Sequence, residues 1–393
     1  MRVNIETQAL CRPKHRLRGI PYYTINLIEA LVKRNRNQYS ISFFDYDHEQ
    51  NYSQNMKDYI QRDVLQQMEV YECDSLDYNA ILKANKEGNT EIYGKIPYSQ
   101  YIGAEADVYH FPNPFEVPFN VSGRKVITIH DCIAMMENIE FNPESRKAFK
   151  ATIDYIERRD DIDIITDSKS VKEDLLNLCA INEKQVHVVP LAYDAQIHYP
   201  DKNKSVLKEL GIEGPFLLYL GVLDFRKGIV NILDAFEMIK PKFKDLKLVL
   251  EGDLNPFVTS IPERLKDYRY IDDVIRTGFV TDVQKRALLS MAEIFLFPSE
   301  YEGFGIPVLE AMACGSPVIT TNVSSLPEVG GNAAVYVSPK RPEELASAIE
   351  EILNSEKMRE ECIANGFQQV KKFSWDKTAE QTEMVYTIAR DRA

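Results

Sequence analysis

Short apolar runs alternate with longer amphipathic stretches through most of the sequence. The runs are three to five residues long, β-rich and apolar on both faces, which is typical of parallel strands covered by helices on each side. Seven runs fit this description: Val126–Ile129, Ile162–Thr166, Val186–Val189, Phe216–Leu220, Leu246–Leu250, Ile294–Phe297 and Val318–Thr320. Helical patterns lie between them: Thr24–Lys33, Ser170–Leu178, Val230–Ile239, Asp282–Met291 and Pro342–Leu353. The alternation predicts an α/β fold with parallel sheets.

The length of 393 residues favours two domains over one. The best boundary lies between Pro190 and Pro215, a stretch that contains the polar, proline-marked segment Tyr199–Lys204. A new buried strand follows directly. Two Rossmann-like halves joined there would form a cleft, and ligands of open parallel sheets bind beyond the carboxyl ends of the strands. Functional side chains are therefore expected directly after strands.

Composition narrows the class of protein. Hydrophobic residues make up 44% and charged residues 27%, which excludes a largely disordered chain, a collagen and a membrane bundle. The 47 basic and 60 acidic residues leave a net charge of −13, whereas a duplex nucleic-acid binder normally leans basic, so no nucleic-acid partner is expected.

Cysteine spacing and apolar run length indicate the compartment. The six cysteines form no Cys-x-x-Cys pair, so neither a disulfide framework nor a structural zinc site is predicted. The longest apolar run, Phe216–Leu223, is far shorter than the roughly 20 residues that span a bilayer. The N-terminus lacks the apolar core of a signal peptide. We therefore expect a cytoplasmic protein with reduced thiols that is not integral to a membrane.

A glycine-bearing loop between a strand and a helix is the most informative segment. The strand ends at Phe297, and Pro307 is expected as the first residue of the helix, with Gly315 ending it. Glu302 lies in the loop, eight positions before Glu310, which is expected in the first helical turn. The loop therefore brings two carboxylates beyond the carboxyl end of one strand.

These two carboxylates suit the recognition of sugar hydroxyls. The free amides of Gly305 and Ile306 would form an anion-binding helix start. A carboxylate at Glu310 can accept both hydroxyls of a ribose, and one at Glu302 can grip a sugar hydroxyl. The alternative for each residue taken singly is structural, because Glu310 would complement the helix dipole and Glu302 would be a solvated loop charge.

Further candidate groups also follow predicted strands. Arg226 and Lys227 lie in the loop after Phe216–Leu220, where two cations suit a diphosphate leaving group. His130 follows the strand Val126–Ile129 and can point into the cleft. The alternatives are a solvated surface pair for the two cations, and a cap or a core hydrogen bond for the histidine.

A basic stretch precedes the first long helix. It carries Arg12, Lys14, Arg16 and Arg18 without an acidic residue, and Gly19 follows it. Glycine at this turn lets backbone amides approach a phosphate. The four cations suit an acceptor phosphate or an anionic membrane surface beside the cleft. The alternative is an exposed loop.

Two motifs do not fit their usual functions. Asp45-Tyr46-Asp47 looks like the Asp-x-Asp of metal-nucleotide sites, but it lies too early, in the second strand–helix unit, so no metal site is predicted. The segment from Glu302 to Glu310 contains Gly-x-Gly without a third glycine, so the fingerprint of a dinucleotide oxidoreductase fails.

The sequence resembles the retaining glycosyltransferases of the GT-B fold, family 4. Their E-x7-E motif matches Glu302…Glu310, and the segment Glu302–Gly315 is close to the family pattern throughout. Further matches follow in the family's order along nearly the whole chain: Gly19-Ile20, His130-Asp131, Thr166-Asp167-Ser168-Lys169-Ser170, Leu220-Gly221, Arg226-Lys227-Gly228, Thr277-Gly278-Phe279-Val280, Leu326-Pro327-Glu328-Val329 and Phe373-Ser374-Trp375. The resemblance is specific for fold and reaction class, and it leaves both sugars open.

The resemblance implies a GT-B architecture, in which two Rossmann-like domains with parallel sheets face each other across a cleft. Residues 1–195 would form the acceptor-binding domain, together with a crossing helix over 376–393. Residues 196–375 would form the nucleotide-sugar-binding domain.

The resemblance also implies roles for single residues. The expected catalytic residues are His130, Arg226, Lys227 and Glu302, with the two cations on the leaving diphosphate and the histidine near the donor sugar. The expected nucleotide-sugar-binding residues are Gly19, Gly221, Phe279, Val280, Gly303, Phe304, Gly305, Ile306, Leu309 and Glu310. No metal and no cofactor are expected, and the donor sugar is expected on UDP or GDP. The basic stretch keeps its expected role toward an acceptor or a membrane.

The resulting expectation is a retaining, metal-independent hexosyltransferase that moves a sugar from a nucleotide-sugar to a glycan or lipid-linked acceptor. Its place would be cell-surface polysaccharide synthesis, in the cytoplasm and peripherally at the inner face of the cell membrane. Two alternatives stay open: another enzyme on the same fold, such as a sugar-nucleotide epimerase or a phosphorylase, and a non-catalytic nucleotide-sugar-binding partner subunit. Oligomeric state, linkage and acceptor identity also stay open.

Overall fold

The computed structural model describes residues 1–11, 19–45, 60–74, 105–115, 117, 123–137, 139, 141–253, 260–266 and 268–392. Contacts divide the chain into two compact units. Unit 1 is Met1–Leu191 with Trp375–Ala393, and unit 2 is Ala192–Ser374. The contact boundary therefore falls after Leu191, whereas the boundary expected from the sequence lies between 195 and 196.

Each unit is built on a parallel β-sheet. The strands of unit 1 are β1 (Arg2–Glu6), β2 (Gln38–Asp45), β3 (Glu69–Asp74), β4 (Val108–Phe111), β5 (Arg124–Ile129), β6 (Ile162–Thr166) and β7 (Val186–Val188). Those of unit 2 are β8 (Phe216–Leu220), β9 (Lys247–Glu251), β10 (Val274–Gly278), β11 (Ile294–Phe297), β12 (Val318–Thr321) and β13 (Ala334–Val337). Among the described residues, the hydrogen-bonded order is β3-β2-β1-β4-β5-β6-β7 in unit 1 and β10-β9-β8-β11-β12-β13 in unit 2, and neighbouring strands are parallel.

Helices connect the strands. Unit 1 contains α1 (Ile20–Arg34), α2 (Arg62–Leu65), α3 (Pro143–Ile156) and α4 (Lys169–Leu178). Unit 2 contains α5 (Lys204–Glu209), α6 (Ile229–Ile239), α7 (Ser260–Lys266), α8 (Asp282–Met291), α9 (Ile306–Cys314), α10 (Leu326–Gly330), α11 (Pro342–Asn354) and α12 (Glu356–Val370). The last helix, α13 (Trp375–Asp391), belongs to unit 1. In the part of the chain that the structure describes, no helix is both long enough and apolar enough to cross a membrane.

The central strands are buried on both faces of each sheet. Every residue of β6, β8, β11 and β12 is buried, which confirms the predicted α/β class with parallel sheets. In unit 2 the strand order reverses between β8 and β11. Ligands of open parallel sheets bind beyond the carboxyl ends of the strands at such a reversal, so the loops after β8 and β11 are the first place to look for a site.

The last helix returns the chain to unit 1. α13 packs against α1 and buries one of its faces. Arg34, at the end of α1, contacts three carboxylates of α13, at 2.8 Å from Asp376, 2.9 Å from Glu383 and 3.4 Å from Glu380. The sequence expectation of a helix over 376–393 that joins the N-terminal part of the chain therefore corresponds to α13.

Candidate active site

The loop after β8 carries two cations on a short 3₁₀ turn. This turn, Phe225–Lys227, is followed by Gly228, which precedes α6 with a left-handed φ of 72°. A Cβ atom at Gly228 would lie 2.3 Å from the carbonyl oxygen of Pro298, in the loop after β11. Glycine alone satisfies both the backbone angle and the close approach. Gly228 therefore holds the turn that bears Arg226 and Lys227 against the neighbouring loop.

Lys227 and Glu302 form an ion pair between the loops after β8 and β11. Lys227 Nζ contacts Glu302 Oε1, and both side chains are mostly buried. Burial lowers the pKa of Lys227, although the charge of Glu302 opposes that shift. Burial also acts to raise the pKa of Glu302, but the charges of Lys227 and Arg226 outweigh it, so this carboxyl pKa lies below its ordinary value. Glu302 is therefore ionised at neutral pH, with Lys227 as its counter-ion.

Arg226 contacts the backbone of the same loop. Its Nη1 donates a hydrogen bond to Tyr301 O at 2.6 Å, and its own carbonyl accepts one from Glu300 N at 2.9 Å. The structure thus brings the predicted residues Arg226, Lys227 and Glu302 together at the reversal of strand order in unit 2.

Two serines of the connection between β12 and α10 fix the loop after β11. Glu302 N donates to Ser324 Oγ at 3.0 Å, and Ser325 Oγ lies 2.9 Å from Glu302 O and 2.7 Å from Phe304 O. The ring of Phe304 packs edge-on against Phe373, with 5.8 Å between ring centres. The backbone that presents the Glu302 carboxylate is therefore held by contacts on both sides of Gly303.

The start of α9 follows the glycine loop, with two differences from the sequence expectation. Gly305 precedes the helix with a φ of 110°, and Gly315 ends it with a φ of 87°. Ile306, and not Pro307, is the first helical residue, because the left-handed Gly305 sets the helix start and proline fits equally at the second position. Glu310 is consequently the fifth residue of α9, so it lies beyond the first turn in which it was expected.

Glu310 lies inside unit 2, away from the surface of the loop. Its side chain is 4% exposed. Lys285 Nζ, from α8, lies 2.5 Å from Glu310 Oε2, and His198 Nε2 lies 3.4 Å from Oε1. Sequence reasoning missed both partners, because a lysine in an amphipathic helix and a histidine in the segment between β7 and α5 carry no motif. Only the packing of α8 and of this segment against α9 joins them to Glu310.

The remaining predicted nucleotide-binding residues follow other strands of the same sheet or lie within α9. Gly221 follows β8 with a φ of 140°. Phe279 and Val280 follow β10, and the Phe279 side chain is 61% exposed. Leu309 has no exposed surface because it packs into the core beneath α9. Its side chain therefore contributes to the packing of the helix, and the ligand contact expected from the sequence stays a prediction.

His130 follows β5 in unit 1, and both of its ring nitrogens are engaged there. Nδ1 lies 2.7 Å from Asp167 Oδ2, and Nε2 lies 3.1 Å from Pro112 O. Burial acts to lower the pKa of His130, but the charge and hydrogen bond of Asp167 outweigh it, so this pKa lies above its ordinary value. A contact of either nitrogen with a donor sugar would replace one of these bonds. Asp167 belongs to the motif Thr166–Ser170 that carries the family resemblance, but no role is expected for it from the sequence.

A buried network of hydrogen-bonded side chains lies next to His130. The Tyr23 ring packs edge-on against His130 at 4.8 Å, and Tyr23 Oη lies 3.1 Å from Thr128 Oγ1. Thr128 Oγ1 lies 2.8 Å from His110 Nε2, and His110 Nδ1 lies 2.7 Å from Tyr386 Oη of α13. Burial lowers the pKa of His110 to about 3, so this ring is neutral. These side-chain hydrogen bonds connect α13 to β4 and β5.

Gly19 occupies the predicted turn before α1, with φ of 60° and ψ of −129°, a conformation almost restricted to glycine. Other predicted groups lie outside the described residues: Arg12, Lys14, Arg16 and Arg18 of the basic stretch, and Tyr46 and Asp47 of the Asp-x-Asp motif. Among the residues that the structure describes, no group of three potential metal ligands is found.

Comparison with known proteins shows the family and the fold of this chain. The family described as glycosyl transferases group 1 matches residues 203–369. The chain is 30% identical over 293 residues to O-antigen chain mannosyltransferase B of Escherichia coli, which covers 72% of this chain and 74% of that protein. Across the first curated relatives that it matches, the chain spans from about a third to about three quarters of their length.

Solved structures share the fold. Sucrose-phosphate synthase from Thermosynechococcus elongatus superposes with a TM-score of 0.74 at 20% identity, over 98% of each chain. HepE of Anabaena, solved with UDP and glucose, superposes with a TM-score of 0.71 at 16% identity, over 98% of this chain and 99% of its own. Together with the two parallel sheets, these likenesses define the fold as GT-B, the fold of a large class of glycosyltransferases.

The chain belongs to the family of glycosyl transferases group 1, and it is a glycosyltransferase. This confirms the resemblance that the E-x7-E segment carries in the sequence. Glycosyltransferases of this group use nucleotide-sugar donors, as the sequence analysis expects.

Proposed function

We propose that the protein transfers a hexosyl group from a nucleotide-sugar to a glycan or lipid-linked acceptor, with retention of the anomeric configuration, in cell-surface polysaccharide synthesis. The observation that carries the proposal is the meeting of Arg226, Lys227 and Glu302 beyond the strand-order reversal of unit 2. The similarity to an O-antigen chain mannosyltransferase supports a surface glycan as the product.

On this proposal unit 2 binds the donor and unit 1 binds the acceptor. Arg226 and Lys227 face the diphosphate, because two cations on one short turn match its charge. Glu302 accepts a hydrogen bond from a hydroxyl of the donor sugar, and Glu310 accepts hydrogen bonds from the ribose hydroxyls. UDP or GDP is proposed as the carrier nucleotide, and the UDP bound in HepE, which shares the fold, supports the first of these. The exposed Phe279 and its neighbour Val280 are proposed to face the base.

The proposed reaction takes place on one face of the donor sugar. The bond between the anomeric carbon and the diphosphate oxygen breaks, and the acceptor hydroxyl oxygen bonds to the anomeric carbon on the same face. The hydroxyl proton passes to the departing phosphate oxygen, so that a nucleoside diphosphate leaves. Arg226 and Lys227 stabilise the charge that develops on the diphosphate, an effect worth about 3 kcal/mol for one well-placed group. These cations supply the stabilisation on this route, so no metal takes part in it.

A donor screen tests the proposal. UDP-, GDP-, ADP- and dTDP-sugars are added singly, and a rise in melting temperature identifies the nucleotide that binds. The donor found in this way is then incubated with candidate glycan and lipid-linked acceptors. Release of nucleoside diphosphate only when an acceptor is present, with an unchanged anomeric configuration in the product by NMR, supports a retaining transferase. Conversion of the donor without an acceptor indicates an epimerase and contradicts the proposal.

The basic stretch is proposed to hold the acceptor phosphate or an anionic membrane surface at the inner face of the cell membrane. Each cation near an anionic surface contributes about 1 kcal/mol. Replacement of Arg12, Lys14 and Arg16 by glutamine is expected to abolish binding to liposomes that contain an anionic lipid, or to raise the acceptor KM, with donor binding retained. Unchanged liposome flotation together with unchanged acceptor kinetics would leave the stretch without this role.

A further inference from the structure

Four hydroxyl side chains of β12 and the connection after it bond to backbone groups of the loop after β11. They are those of Thr320, Thr321, Ser324 and Ser325. Thr320 Oγ1 donates to Phe297 O at 2.8 Å, and Thr321 Oγ1 donates to Ser299 O at 2.5 Å. The loop that carries Glu302 is therefore attached to the neighbouring strand and its connection at several points.

Ser324 differs from the other three residues. Thr320, Thr321 and Ser325 have no exposed surface, and each of them donates to carbonyl oxygens. Ser324 is partly exposed, and its Oγ accepts a hydrogen bond from Glu302 N at 3.0 Å. Of the four hydroxyls, it is thus the one that holds an N–H group, and that group belongs to the residue whose carboxylate lies in the candidate site.

The backbone of Ser324 is strained. Its φ is 50°, in the left-handed region that a Cβ atom disfavours for every residue except glycine. A turn holds this conformation, in which Leu326 N donates to Val323 O at 3.4 Å. Glycine would relieve the strain, but it would also remove the hydroxyl that Glu302 N contacts. Strained residues that persist in folded proteins cluster at functional sites, so Ser324 calls for a function of its hydroxyl.

The two serines together fix the direction of the Glu302 side chain. Ser324 binds the N–H of Glu302 and Ser325 binds its carbonyl, so both backbone polar groups of this residue are held. At its far end the side chain contacts Lys227. Without the Ser324 hydroxyl, the peptide before Glu302 is free to rotate, and the position of the carboxylate then depends on Lys227 alone.

We propose that Ser324 is a positioning residue for recognition of the donor sugar, because its hydroxyl fixes the backbone of Glu302 and thereby directs the carboxylate toward a sugar hydroxyl. The inference rests on the proposed function, which assigns a hydroxyl of the donor sugar to Glu302, and it adds the residue that sets the direction of that carboxylate. A nucleoside diphosphate has no such sugar. Ser324 is therefore expected to strengthen binding of the nucleotide-sugar and not of the free nucleotide.

Calorimetry with the full-length protein tests this difference. The probes are whichever of UDP-glucose, UDP-galactose and GDP-mannose binds most tightly, and the corresponding UDP or GDP. The affinity for the nucleotide-sugar divided by that for the nucleoside diphosphate measures the contribution of the sugar. Ser324→Ala is expected to lower this ratio about five- to tenfold, the effect of losing one hydrogen bond, and to leave the affinity for the nucleoside diphosphate unchanged.

A second variant separates the hydroxyl from the strain. Ser324→Gly also removes the hydroxyl, but it adopts the left-handed φ without cost. We expect it to lower the ratio as Ser324→Ala does. Ser355→Ala is the matched control, because Ser355 Oγ likewise accepts from a backbone N–H, that of Met358 at 3.2 Å, at the start of α12. We expect this variant to keep the wild-type ratio.

A double-mutant cycle tests whether Ser324 acts through Glu302. In the background of Glu302→Gln, the added Ser324→Ala is expected to change the ratio little, because the carboxylate that it positions is already absent. A further loss as large as in the wild-type background would show that Ser324 acts independently of Glu302, and would overturn the inference.

The outcomes separate this inference from the proposed function. If the wild type binds none of the three nucleotide-sugars, or if Glu302→Gln keeps the wild-type ratio, the assignment of Glu302 to the donor sugar fails, and the inference fails with it. If Glu302→Gln lowers the ratio but folded Ser324→Ala keeps it, the inference alone is overturned. Should Ser324→Ala not fold, Ser324→Gly decides, since a wild-type ratio in that variant also overturns it.

Discussion

A buried ion pair joins two residues on which the proposed chemistry depends. Lys227 and Glu302 are both mostly buried, so each stabilises the charge of the other. Removing one partner of such a pair leaves an uncompensated charge away from water and costs about 3–5 kcal/mol in a fully buried setting. The ammonium group of Lys227 is therefore the counter-ion of Glu302, and a diphosphate has to compete with that carboxylate for it.

The first prediction concerns Lys227. Lys227→Ala is expected to lower kcat about 10²- to 10³-fold, because the lost cation acts on charge that develops only as the diphosphate leaves. Affinity for the intact nucleotide-sugar is expected to fall less. Steady-state kinetics with the donor identified by the screen measure both effects. Lys242→Ala, which removes an exposed pair, is the control. A higher KM with an unchanged kcat would show a clamp on the ground state.

The contact between His130 and Asp167 predicts a pH-dependent stability. The pKa of His130 is raised above its ordinary value of 6.5 in the folded protein, so proton binding favours the folded state. This stabilisation is fully present below that ordinary value and is lost as the pH rises through the folded-state pKa. The difference in melting temperature between wild type and Asp167→Asn is therefore expected to be largest near about pH 6 and to shrink toward about pH 9. A difference that stays constant over this range contradicts the prediction.

At the scale of elements, the position of the two cations depends on how a 3₁₀ turn joins a helix. Phe225–Lys227 leads into α6 through Gly228, and the Gly228 backbone lies against the loop after β11. A shift of this junction moves both Arg226 and Lys227 away from Glu302. We therefore expect the positions of both cations to depend on the backbone of this junction.

Gly228→Ala is expected to abolish donor binding and to lower the free energy of unfolding by more than about 2 kcal/mol. The left-handed φ accounts for about 1–2 kcal/mol of this loss. The clash of the new Cβ with Pro298 adds the rest. Gly211→Ala is the matched control. Gly211 has a similar φ of 70°, but a Cβ there meets nothing within 4 Å, so only the cost of the backbone angle is expected. Urea unfolding and donor titration of both variants provide the measurement, and equal effects would rule out the contact as the cause.

Buried strands could be predicted from the sequence more readily than edge strands. β8 and β11 are apolar throughout because both faces are covered, and their predicted bounds agree with the structure. β3, β10 and β13 lie at sheet edges, where partial exposure permits polar residues and weakens the pattern. β7 is also an edge strand, but its short apolar run makes it predictable all the same. β4 is central but carries His110, whose burial is possible only because Thr128 and Tyr386 bond both of its nitrogens, a condition that a local pattern does not show.

At the scale of the whole molecule, a local sequence pattern likewise predicts only part of the site. Arg226, Lys227 and Glu302 could be predicted because each follows a strand, and parallel strands end at one edge. The contacts of His198 and Lys285 with Glu310 could not, because they depend on which helix and which connecting segment pack beside Glu310. Contacts that depend on how helices and connecting segments pack beside one another are where sequence reasoning stops.

The return of α13 to unit 1 makes a prediction about the whole chain. A chain that stops after Ser374 is expected to lose the stability of unit 1, because the buried side chains of α13, such as Ala379 and Tyr386, no longer cover it. Limited proteolysis with mass spectrometry is expected to show cleavage within 1–191 and protection of 192–374. The double variant Met384→Ala/Ile388→Ala, which alters exposed positions of the same helix, is the control. Equal resistance of unit 1 with and without α13 would refute the prediction.

The same helix also sets the order in which the protein can be completed during translation. All of unit 2 is made after the sheet of unit 1 and before α13, so unit 2 can finish folding while unit 1 still lacks its last helix. At about 5–20 residues per second, the synthesis of unit 2 leaves that surface of unit 1 uncovered for roughly ten to forty seconds. We therefore expect nascent unit 1, and not unit 2, to be the part of this enzyme that chaperones bind on the ribosome.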